Sequence, residues 1–517
     1  MRKTLLLSCC LGASLSALAL PPDEAPEIEL FISGSSAQDE SLENLMRLTD
    51  GHDGTPNICQ SGTLDVYHGT IDGVRKRVFY CLTSDRLDGV TAGKRLAVHK
   101  SSGGSGEGIG PVAVGVPVRF IDLENLPDTP SCRQPTRVLY EDKLAAFGNR
   151  RGCDGGGKAV VPQAGISDIE PELLGEVSDG LALHSQSQLV WGLPVSKNLR
   201  NALQAIQGLV PASVPHDAAE RETEQAMPTL TTTQIASIFA GAISSWGQLY
   251  DAEGAPLYLS STLAAAAPER PDLSGTSPGA YRPDADTGNR IYLCRRIQSS
   301  GTQAAYEVHY LRHRCIAEAP SFVAPDDGST LVAGGDADVL VRTDNPAGRV
   351  FAGLGTSDVR ACLDAHDDHN RWAIGIFSTE NVGNNASNEF RHVKIDGIAP
   401  NLKNAHLGLW PHVSEPSLQW RSDDEARLRA SEAGQALMFI RENLAQPEVL
   451  STLNSEFEHG WGQGGYLAMP GASSPRPPVT AEMLRRNPVS SVARSGNRSW
   501  RNCNVSIIRS GTSAAGT

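Results

Sequence analysis

The chain has 517 residues, of which 40% are hydrophobic and 20% are charged, and its formal net charge is −14. A chain of this length can bury more than one hydrophobic core, so we predict two lobes. The acidic balance argues against nucleic acid or an anionic membrane surface as a partner. Any bound anion would have to be held by local hydrogen bonds and dipoles.

The first residues predict export. Arg2 and Lys3 precede an apolar run, and the small residues Ala17 and Ala19 match a signal-peptidase site. We therefore expect a signal peptide over residues 1–19 and a mature protein that is soluble and periplasmic or secreted. No later run approaches the roughly 18 apolar residues that a membrane helix requires.

Cysteine usage fits the same compartment. Cys9 and Cys10 lie in the leader and leave a lipid anchor as the less favoured alternative. The remaining eight stand at positions 59, 81, 132, 153, 294, 315, 362 and 503. An even number without a CxxC spacing indicates disulfides. Among the many possible pairings we favour sequence neighbours, namely 59 with 81, 132 with 153, and 294 with 315.

The first third of the chain alternates strands and polar loops. A strand over residues 29–32 enters the loop SGSSA at 33–37, and a helix with Leu42, Leu45 and Met46 on one face follows. A second strand over 96–99 enters the loop SSGGS at 101–105. Alternating valines over 112–118 predict a half-buried strand. Polar, cysteine-containing segments at about 50–95 and 122–163 are predicted insertions.

Strands, turns and helices continue to alternate after residue 165. The turn GISD at 165–168 precedes a helix, and residues 189–195 and 372–377 are apolar strands. A capping box over 231–234 begins a helix, and a strand over 291–294 enters the loop RIQSSGT at 296–302 and then a helix. The last predicted helix covers about 424–443. Residues 471–517 are rich in Ser, Arg and Pro and are predicted to be a loosely ordered tail.

The three Gly/Ser loops, at 33–37, 101–105 and 296–302, each lie between a predicted strand and a predicted helix. Free backbone N–H groups and the positive end of the helix dipole can hold an anion at such a position. Strands that alternate with helices predict α/β lobes, in which ligands bind beyond the carboxyl ends of the strands. The three loops together predict one oxyanion site.

These motifs resemble the phosphate-binding proteins that serve as receptors of high-affinity phosphate ABC importers. The resemblance covers the three loops in order, the GISD turn, the stretch LTTTQIASIFAGAISSW at 230–246, AIGI at 373–376 and VKIDGIAP at 393–400. It implies the two-lobed α/β fold of type 2 periplasmic binding proteins. Inorganic phosphate in the cleft and an ABC importer membrane complex are the implied partners.

Carried over residue by residue, the phosphate contacts of the family fall on Ser36, Ser101, Asp168, Arg296, Ser300, Gly301 and Thr302. Hydroxyl and N–H groups would donate to phosphate oxygens, and Arg296 would add a charge-assisted pair. An ionised Asp168 can only accept a proton, so it would bind the P–OH group and repel sulfate. The chain departs from the family at Gln298, where the family often has an acid.

These residues can also be interpreted without a binding site. Ser/Gly loops are usually flexible connections, Arg296 alone is more often a surface charge, and Asp168 could simply cap a helix. The cluster DAHDDH at 364–369 could bind a metal, but we favour a solvated loop. No HExxH or Walker motif is present. We expect no metal, no cofactor and no catalysis.

The resulting prediction is a monomeric, two-lobed α/β binding protein with disulfide-bearing insertions. Lobe 1 would span 20–188 and 390–470, and lobe 2 would span 189–389, followed by the tail at 471–517. Its function would be phosphate capture by hinge closure of the cleft. Two alternatives stay open: an exported phosphatase-like enzyme on the same scaffold, and a secreted adhesion or matrix protein with a vestigial cleft.

Overall fold

The structure is a computed structural model. It describes residues 24–47, 57–134, 136–138, 148–176, 179–185, 187–260, 263, 290–322, 330–331, 350–368, 370–381, 390–470, 479–494 and 502–508. The predicted signal peptide lies outside the described residues. Within the described residues, no helix combines the length and the apolar character needed to cross a membrane.

Most strands are short. In chain order they are β1 (Ile28–Gly34), β2 (Asp65–Ile71), β3 (Val74–Leu82), β4 (Arg95–Ser101), β5 (Val118–Phe120), β6 (Thr136–Val138), β7 (Gly148–Gly152), β8 (Lys158–Val160), β9 (Ala164–Ser167), β10 (Leu181–Ser185), β11 (Ser187–Ser196), β12 (Thr229–Leu230), β13 (Tyr292–Arg296), β14 (Thr330–Leu331), β15 (Val350–Gly353), β16 (Ala373–Gly375), β17 (Phe377–Ser378), β18 (Phe390–Ile395), β19 (Val413–Ser414), β20 (Ser417–Arg421), β21 (Glu458–His459), β22 (Gly462–Gln463), β23 (Tyr466–Ala468), β24 (Val492–Ala493) and β25 (Ile507–Ile508).

The helices fall between these strands. They are α1 (Asp39–Arg47), α2 (Ser105–Val114), α3 (Pro130–Arg133), α4 (Lys197–Ile206), α5 (Thr232–Phe239), α6 (Gly301–Tyr306), α7 (Thr356–Asp368), α8 (Leu402–His406), α9 (Glu425–Arg429), α10 (Glu432–Asn443), α11 (Pro447–Asn454) and α12 (Ala481–Arg486). Short 3₁₀ turns occur as well, and a π turn over Glu307–Leu311 extends α6.

Two large sheets organise the chain. The first has the order β10-β20-β9-β1-β4-β3-β2-β7-β6, and we call it with its helices lobe 1. The second has the order β12-β18-β11-β16-β13-β15-β14, and we call it with its helices lobe 2. The central strand β11 also pairs with β17, β19 and β23. The predicted α/β fold class is confirmed.

Buried apolar residues form two main cores, one in each lobe. The core of lobe 1 joins β1, β3 and β4 to α1 and α10, and Leu42, Leu45 and Met46 of α1 are all fully buried in it. The core of lobe 2 surrounds β11, whose ten residues are all buried. The predicted capping box begins α5, where Thr231 Oγ1 accepts from the Gln234 N–H at 3.1 Å.

The valine-rich segment is different from our prediction. Val112 and Val114 belong to helix α2, which ends at Gly115 with a φ of 71° in the left-handed region. Only Val118 begins a strand, β5. Alternation over so few residues does not distinguish a strand from a short helix, and the residues that decide are the helix-starting Ser105 and the terminating glycine.

The predicted domain division differs at two places from the sheets. Strand β18 pairs with β11 in lobe 2, although residues 390–470 were assigned to lobe 1 and only β20 of that segment joins the first sheet. The two segments predicted as insertions supply β2, β3, β6 and β7, which extend the first sheet beyond β4.

The described residues contain four disulfides. Cys59–Cys81 and Cys132–Cys153 confirm the neighbour pairings. The predicted pair of Cys294 with Cys315 is wrong, because Cys294 bonds Cys362 and Cys315 bonds Cys503. Cys294 lies on β13, and helix α7 packs against that strand and brings Cys362 to it. Sequence separation could not show this packing.

The C-terminal segment is also more ordered than predicted in its described parts. Residues 479–494 contain α12, and Asn502 is only 1% exposed. The backbone N–H and side-chain amide of Asn502 donate to the two carboxylate oxygens of Glu170 at 2.6 Å each. The segment is therefore attached to lobe 1 by Asn502 and to lobe 2 by Cys503.

Candidate functional site

The loops after β1, β4 and β9 meet at one edge of the first sheet. These three strands are parallel neighbours, and Ser33 pairs with Ser101 while Gly34 pairs with Ile166. The Ser35 N–H donates to the Ile166 carbonyl at 2.9 Å. Because parallel strands end together, the loops at 33–37, 101–105 and 165–168 lie side by side.

Asp168 lies at the centre of this edge and is 2% exposed. Its carboxylate oxygen Oδ1 accepts a hydrogen bond from the Ser35 hydroxyl, and its backbone N–H donates to Ser105 Oγ at 2.9 Å. Burial raises the pKa of Asp168, and the hydrogen bonds and the charge of Arg296 oppose that shift. The next 3₁₀ turn is preceded by Glu170 and has no side-chain cap, so Asp168 is not a helix cap.

Arg296 ends β13 in lobe 2 and is 2% exposed. Its guanidinium donates to the Leu354 carbonyl and to Thr356 Oγ1, at 3.4 Å for the latter contact. Burial lowers the pKa of Arg296 to about 10, although the nearby charges of Asp168 and Asp358 favour the cation. The buried Nε has no hydrogen-bond partner among the described residues. The Nε–H donor of this cation is therefore unpaired within the described residues.

Gln298 does not hold the arginine. Its side-chain oxygen accepts from Arg314 Nη2 at 3.1 Å instead. The Leu354 carbonyl, on the loop after β15, accepts a hydrogen bond from the Arg296 guanidinium instead.

The beginnings of two helices face each other across the two lobes. Gly106 of α2 donates its N–H to the Ser299 carbonyl at 3.2 Å. An added Cβ at Gly301, the first residue of α6, would overlap Ser105 Oγ and lie 2.9 Å from Asp168 Oδ2. Ser300 caps α6, and Ser300 and Thr302 are 1% and 3% exposed. The lobes therefore touch at this point, and only a glycine fits there.

Not all of the predicted site residues lie at the contact between the lobes. Asp168, Arg296, Ser300, Gly301 and Thr302 come together where the lobes meet. Ser36 begins a 3₁₀ turn and is partly exposed, while its neighbour Ser35 makes the contact with Asp168.

The Ser101 hydroxyl is engaged within lobe 1. It donates to the Glu107 carboxylate and accepts from Lys76 Nζ at 2.5 Å. Its loop reaches the site through Gly104, Ser105 and Gly106 rather than through this side chain.

Sequence reasoning missed Ser35, Ser105 and Lys100. Ser35 and Ser105 lie inside the quoted loops, and only the backbone geometry distinguishes them from Ser36 and Ser101. Lys100 is fully buried, and its Nζ donates to the carbonyls of Ser101, Ser35 and Gly34 at 2.7, 3.0 and 3.2 Å. This ammonium group ties the loop after β1 to the loop after β4. A lysine immediately before the SSGGS loop was the available signal.

The acidic and histidine-rich cluster at 364–369 is not a loop as far as the structure describes it, because residues 364–368 lie on α7. Among the described residues, His366 with Cys294 and Cys362 is the group close enough together to hold a metal ion. The disulfide between the two cysteines occupies both sulfur atoms.

Comparison with known proteins gives similarities in structure only. No family model matches the chain, and no curated protein matches it. A proposed phosphate ABC transporter substrate-binding protein from Clostridium perfringens, solved with bound phosphate, is 11% identical with a TM-score of 0.39, covering 83% of this chain and 98% of that one.

Two further solved structures are similar over a smaller part of the chain. An ABC-type phosphate transport receptor from Vibrio cholerae is 14% identical, with a TM-score of 0.29 and coverage of 58% of this chain and 80% of that one. A phosphate-binding protein from Stenotrophomonas maltophilia is 13% identical, with a TM-score of 0.27 and coverage of 57% and 87%.

Proposed function

We propose that this chain is an exported phosphate-binding protein that captures phosphate between its lobes. The observation that carries the proposal is that two buried groups of opposite charge from different lobes, Asp168 and Arg296, lie near enough to act on each other's charge, while the Arg296 Nε has no partner among the described residues. An unpaired buried donor costs about 1–3 kcal/mol, so a ligand that accepts from it is favoured. Ser36, Ser300, Gly301 and Thr302 would add hydroxyl and N–H donors.

Asp168 gives this site its selectivity. The Ser35 hydroxyl and the charge of Arg296 favour the ionised carboxylate, which can accept the P–OH proton of hydrogen phosphate. Sulfate has no proton at neutral pH, so its oxygens would face the carboxylate without a hydrogen bond. Discrimination between the two anions follows from this single acceptor.

The proposal is capture and not catalysis. Hinge closure would bring the beginning of α6 onto Ser105 and Asp168, which is the arrangement in this structure. Release to an ABC importer membrane complex, by a monomer outside the cytoplasmic membrane, completes the proposed role in phosphate uptake. The proposed role in uptake is tested by measuring the uptake of labelled phosphate in cells that lack the protein and in the same cells after it is re-expressed.

The test of binding is titration calorimetry with protein that has been unfolded and refolded to remove bound ligand. We expect micromolar or tighter phosphate binding and no sulfate binding. In Asp168→Asn, phosphate affinity should fall about ten- to 150-fold, which corresponds to one lost charged hydrogen bond, and the preference over sulfate should shrink.

The matched control is Asp128→Asn, whose side chain is 95% exposed, and it should bind phosphate like the wild type. A folded wild-type sample that binds neither anion would contradict the proposed function. Phosphate binding that is equal in Asp168→Asn and the wild type would instead contradict the role given to Asp168.

A further inference from the structure

A small hollow in lobe 2 is lined by charged side chains that the proposed function does not use. Residues of helix α4, strand β18, the 3₁₀ turn over Ala219–Glu222 and the turn between β21 and β22 meet there. The hollow has a volume of about 10 Å³, which admits one group of the size of a water molecule. Its charged lining residues are Arg200, Arg221, Arg391 and Glu222.

The hollow is separate from the proposed phosphate site. Arg391 lies on β18 and Arg296 lies on β13, and strands β11 and β16 stand between them in the second sheet. Neighbouring strands are about 4.8 Å apart, so about 14 Å of sheet separates the two arginines. The two sites share no residue.

Positive charge exceeds negative charge in the lining of the hollow. Glu222 is the only acid among the described lining residues, and its Oε1 accepts from Arg200 Nη2 at 2.9 Å. Both oxygens of Glu222 also accept from Arg391 Nε at 3.0 Å. Arg221 is 1% exposed and donates to uncharged oxygen atoms such as Gln204 Oε1, at 2.7 Å. Three guanidinium groups therefore surround one carboxylate.

Arg200 has a hydrogen-bond donor that the described residues do not use. The side chain is buried, and its Nη1 donates to the Arg221 carbonyl at 2.8 Å. The buried Nε has no hydrogen-bond partner among the described residues. Burial lowers the pKa of Arg200 to about 10, so the group is still a cation at pH 7. A buried donor without a partner is rare in native proteins and calls for an explanation such as a ligand.

The other lining residues add no charge. Met227 and Trp461 belong to one small apolar cluster, and attraction between charges is stronger beside such apolar walls than in water. Burial lowers the pKa of His392 to about 3, so its imidazole is neutral at pH 7. Thr223 lines the hollow and is exposed, which shows that the hollow opens to solvent.

We propose that this hollow binds one small monovalent anion of the size of chloride, which accepts a hydrogen bond from Arg200 Nε and offsets part of the excess positive charge. The volume favours a single-atom anion over phosphate or sulfate. The inference goes beyond the proposed function and does not depend on it. A ligand that binds only the folded protein raises its stability, so chloride should stabilise the fold.

The experiment is thermal unfolding of the full mature protein, followed by circular dichroism, in phosphate-free buffer at chloride concentrations from zero to about 300 mM. Methanesulfonate, a larger anion, replaces chloride so that the ionic strength and its screening stay constant. We expect the wild-type unfolding temperature to rise with chloride and then to saturate. Arg200→Lys keeps a cation but lacks the Nε donor, so the chloride concentration that gives half of the rise should increase at least about tenfold.

A second variant leaves the buried arginine in place. Thr223→Asp puts a carboxylate at the rim of the hollow, where it should replace the anion and make the unfolding temperature nearly independent of chloride. Thr129→Asp is the matched control, because Thr129 is also exposed and lies at the N-cap of α3 in lobe 1. This control should keep the wild-type response to chloride.

A wild-type unfolding temperature that does not change with chloride would overturn the inference. The same conclusion would follow if Arg200→Lys and Thr223→Asp both responded like the wild type. Saturating phosphate should leave the response to chloride unchanged, and competition between the two anions would place chloride at the phosphate site and overturn the inference. The proposed function is decided separately, by phosphate calorimetry.

Discussion

At the scale of single residues, Lys100 is the group on which the geometry of the site depends. It is fully buried, and it donates to three carbonyls in two loops. Its Nζ also lies 3.2 Å from Asp39 Oδ1, and that aspartate is 2% exposed. A buried ammonium group is tolerable here because it has four oxygen partners.

We predict that Lys100→Met lowers the free energy of unfolding by about 3–5 kcal/mol, because it leaves Asp39 buried beside one fewer cation. Urea unfolding monitored by circular dichroism measures this loss. Lys94→Met removes a half-exposed ion pair with Glu432 and should cost no more than about 1 kcal/mol. Equal losses in the two variants would contradict the role given to Lys100.

Lys100→Met should also change how the free energy of unfolding depends on pH under acidic conditions. Burial would raise the pKa of Asp39, but the charges of Lys100 and Arg77 outweigh it and hold that pKa below its usual value. A carboxyl with a depressed pKa stabilises the fold above its unfolded pKa, and that stabilisation is lost as the pH falls. Unfolding free energies measured from pH 6 to 3 should therefore fall less in Lys100→Met than in the wild type.

At the scale of elements, the close approach of α2 and α6 decides how the lobes meet. Gly301 begins α6, and no side chain fits between it and the pair Ser105 and Asp168. The Ser35 hydroxyl and the Ser105 hydroxyl fix Asp168 from the side of lobe 1. The closed arrangement is therefore specified by a glycine on one lobe and two serines on the other.

We predict that Gly301→Ala weakens phosphate binding at least tenfold and leaves the unfolding temperature nearly unchanged. Alanine is compatible with a helix start, so the lobe itself should fold, but the new Cβ would hold the lobes apart. Gly110→Ala within α2 is the control, because its Cβ would meet only the flexible side chain of Glu176 at 3.2 Å. Wild-type affinity in Gly301→Ala would show that this contact does not limit closure.

At the scale of the whole molecule, the C-terminal segment joins the two lobes. The Cys315–Cys503 bond spans 188 residues of sequence, and the adjacent Asn502 binds Glu170, two residues after Asp168. The buried amide of Gln188 donates to the Val492 carbonyl at 2.6 Å. The segment therefore has contacts beside the site as well as with β11.

We predict that the double variant Cys315→Ser, Cys503→Ser releases this segment. The loss of one long-range disulfide should lower stability by about 2–5 kcal/mol, and limited proteolysis should cleave within 479–508 before the sheets unfold. Removal of the Cys59–Cys81 bond, which spans 22 residues, serves as the comparison and should leave the C-terminal segment resistant. Resistance of that segment in both variants would contradict its dependence on Cys503.

The sequence by itself determined the local features. The strand-loop-helix order at 28–47 and 292–306, the capping box at Thr231 and the two short-range disulfides were all predicted from residues within about 25 positions of each other. Local propensity, hydrogen-bonding side chains and loop closure act over such distances. The convergence of the loops after β1, β4 and β9, which are far apart in the sequence, follows instead from the rule that parallel strands end at the same edge of a sheet.

Only the tertiary structure decided the rest. Ser35 rather than Ser36 contacts Asp168 because the backbone turn, not the residue type, aims the hydroxyl. Cys362 reaches Cys294 because α7 packs on β13, and Cys503 reaches Cys315 because the C-terminal segment returns to lobe 2. The pKa of Asp168 is raised because folding buries its carboxylate, and the charge that opposes this shift comes from Arg296, which is far away in the sequence. Burial and charge depend on neighbours in space, and the linear order of residues does not contain them.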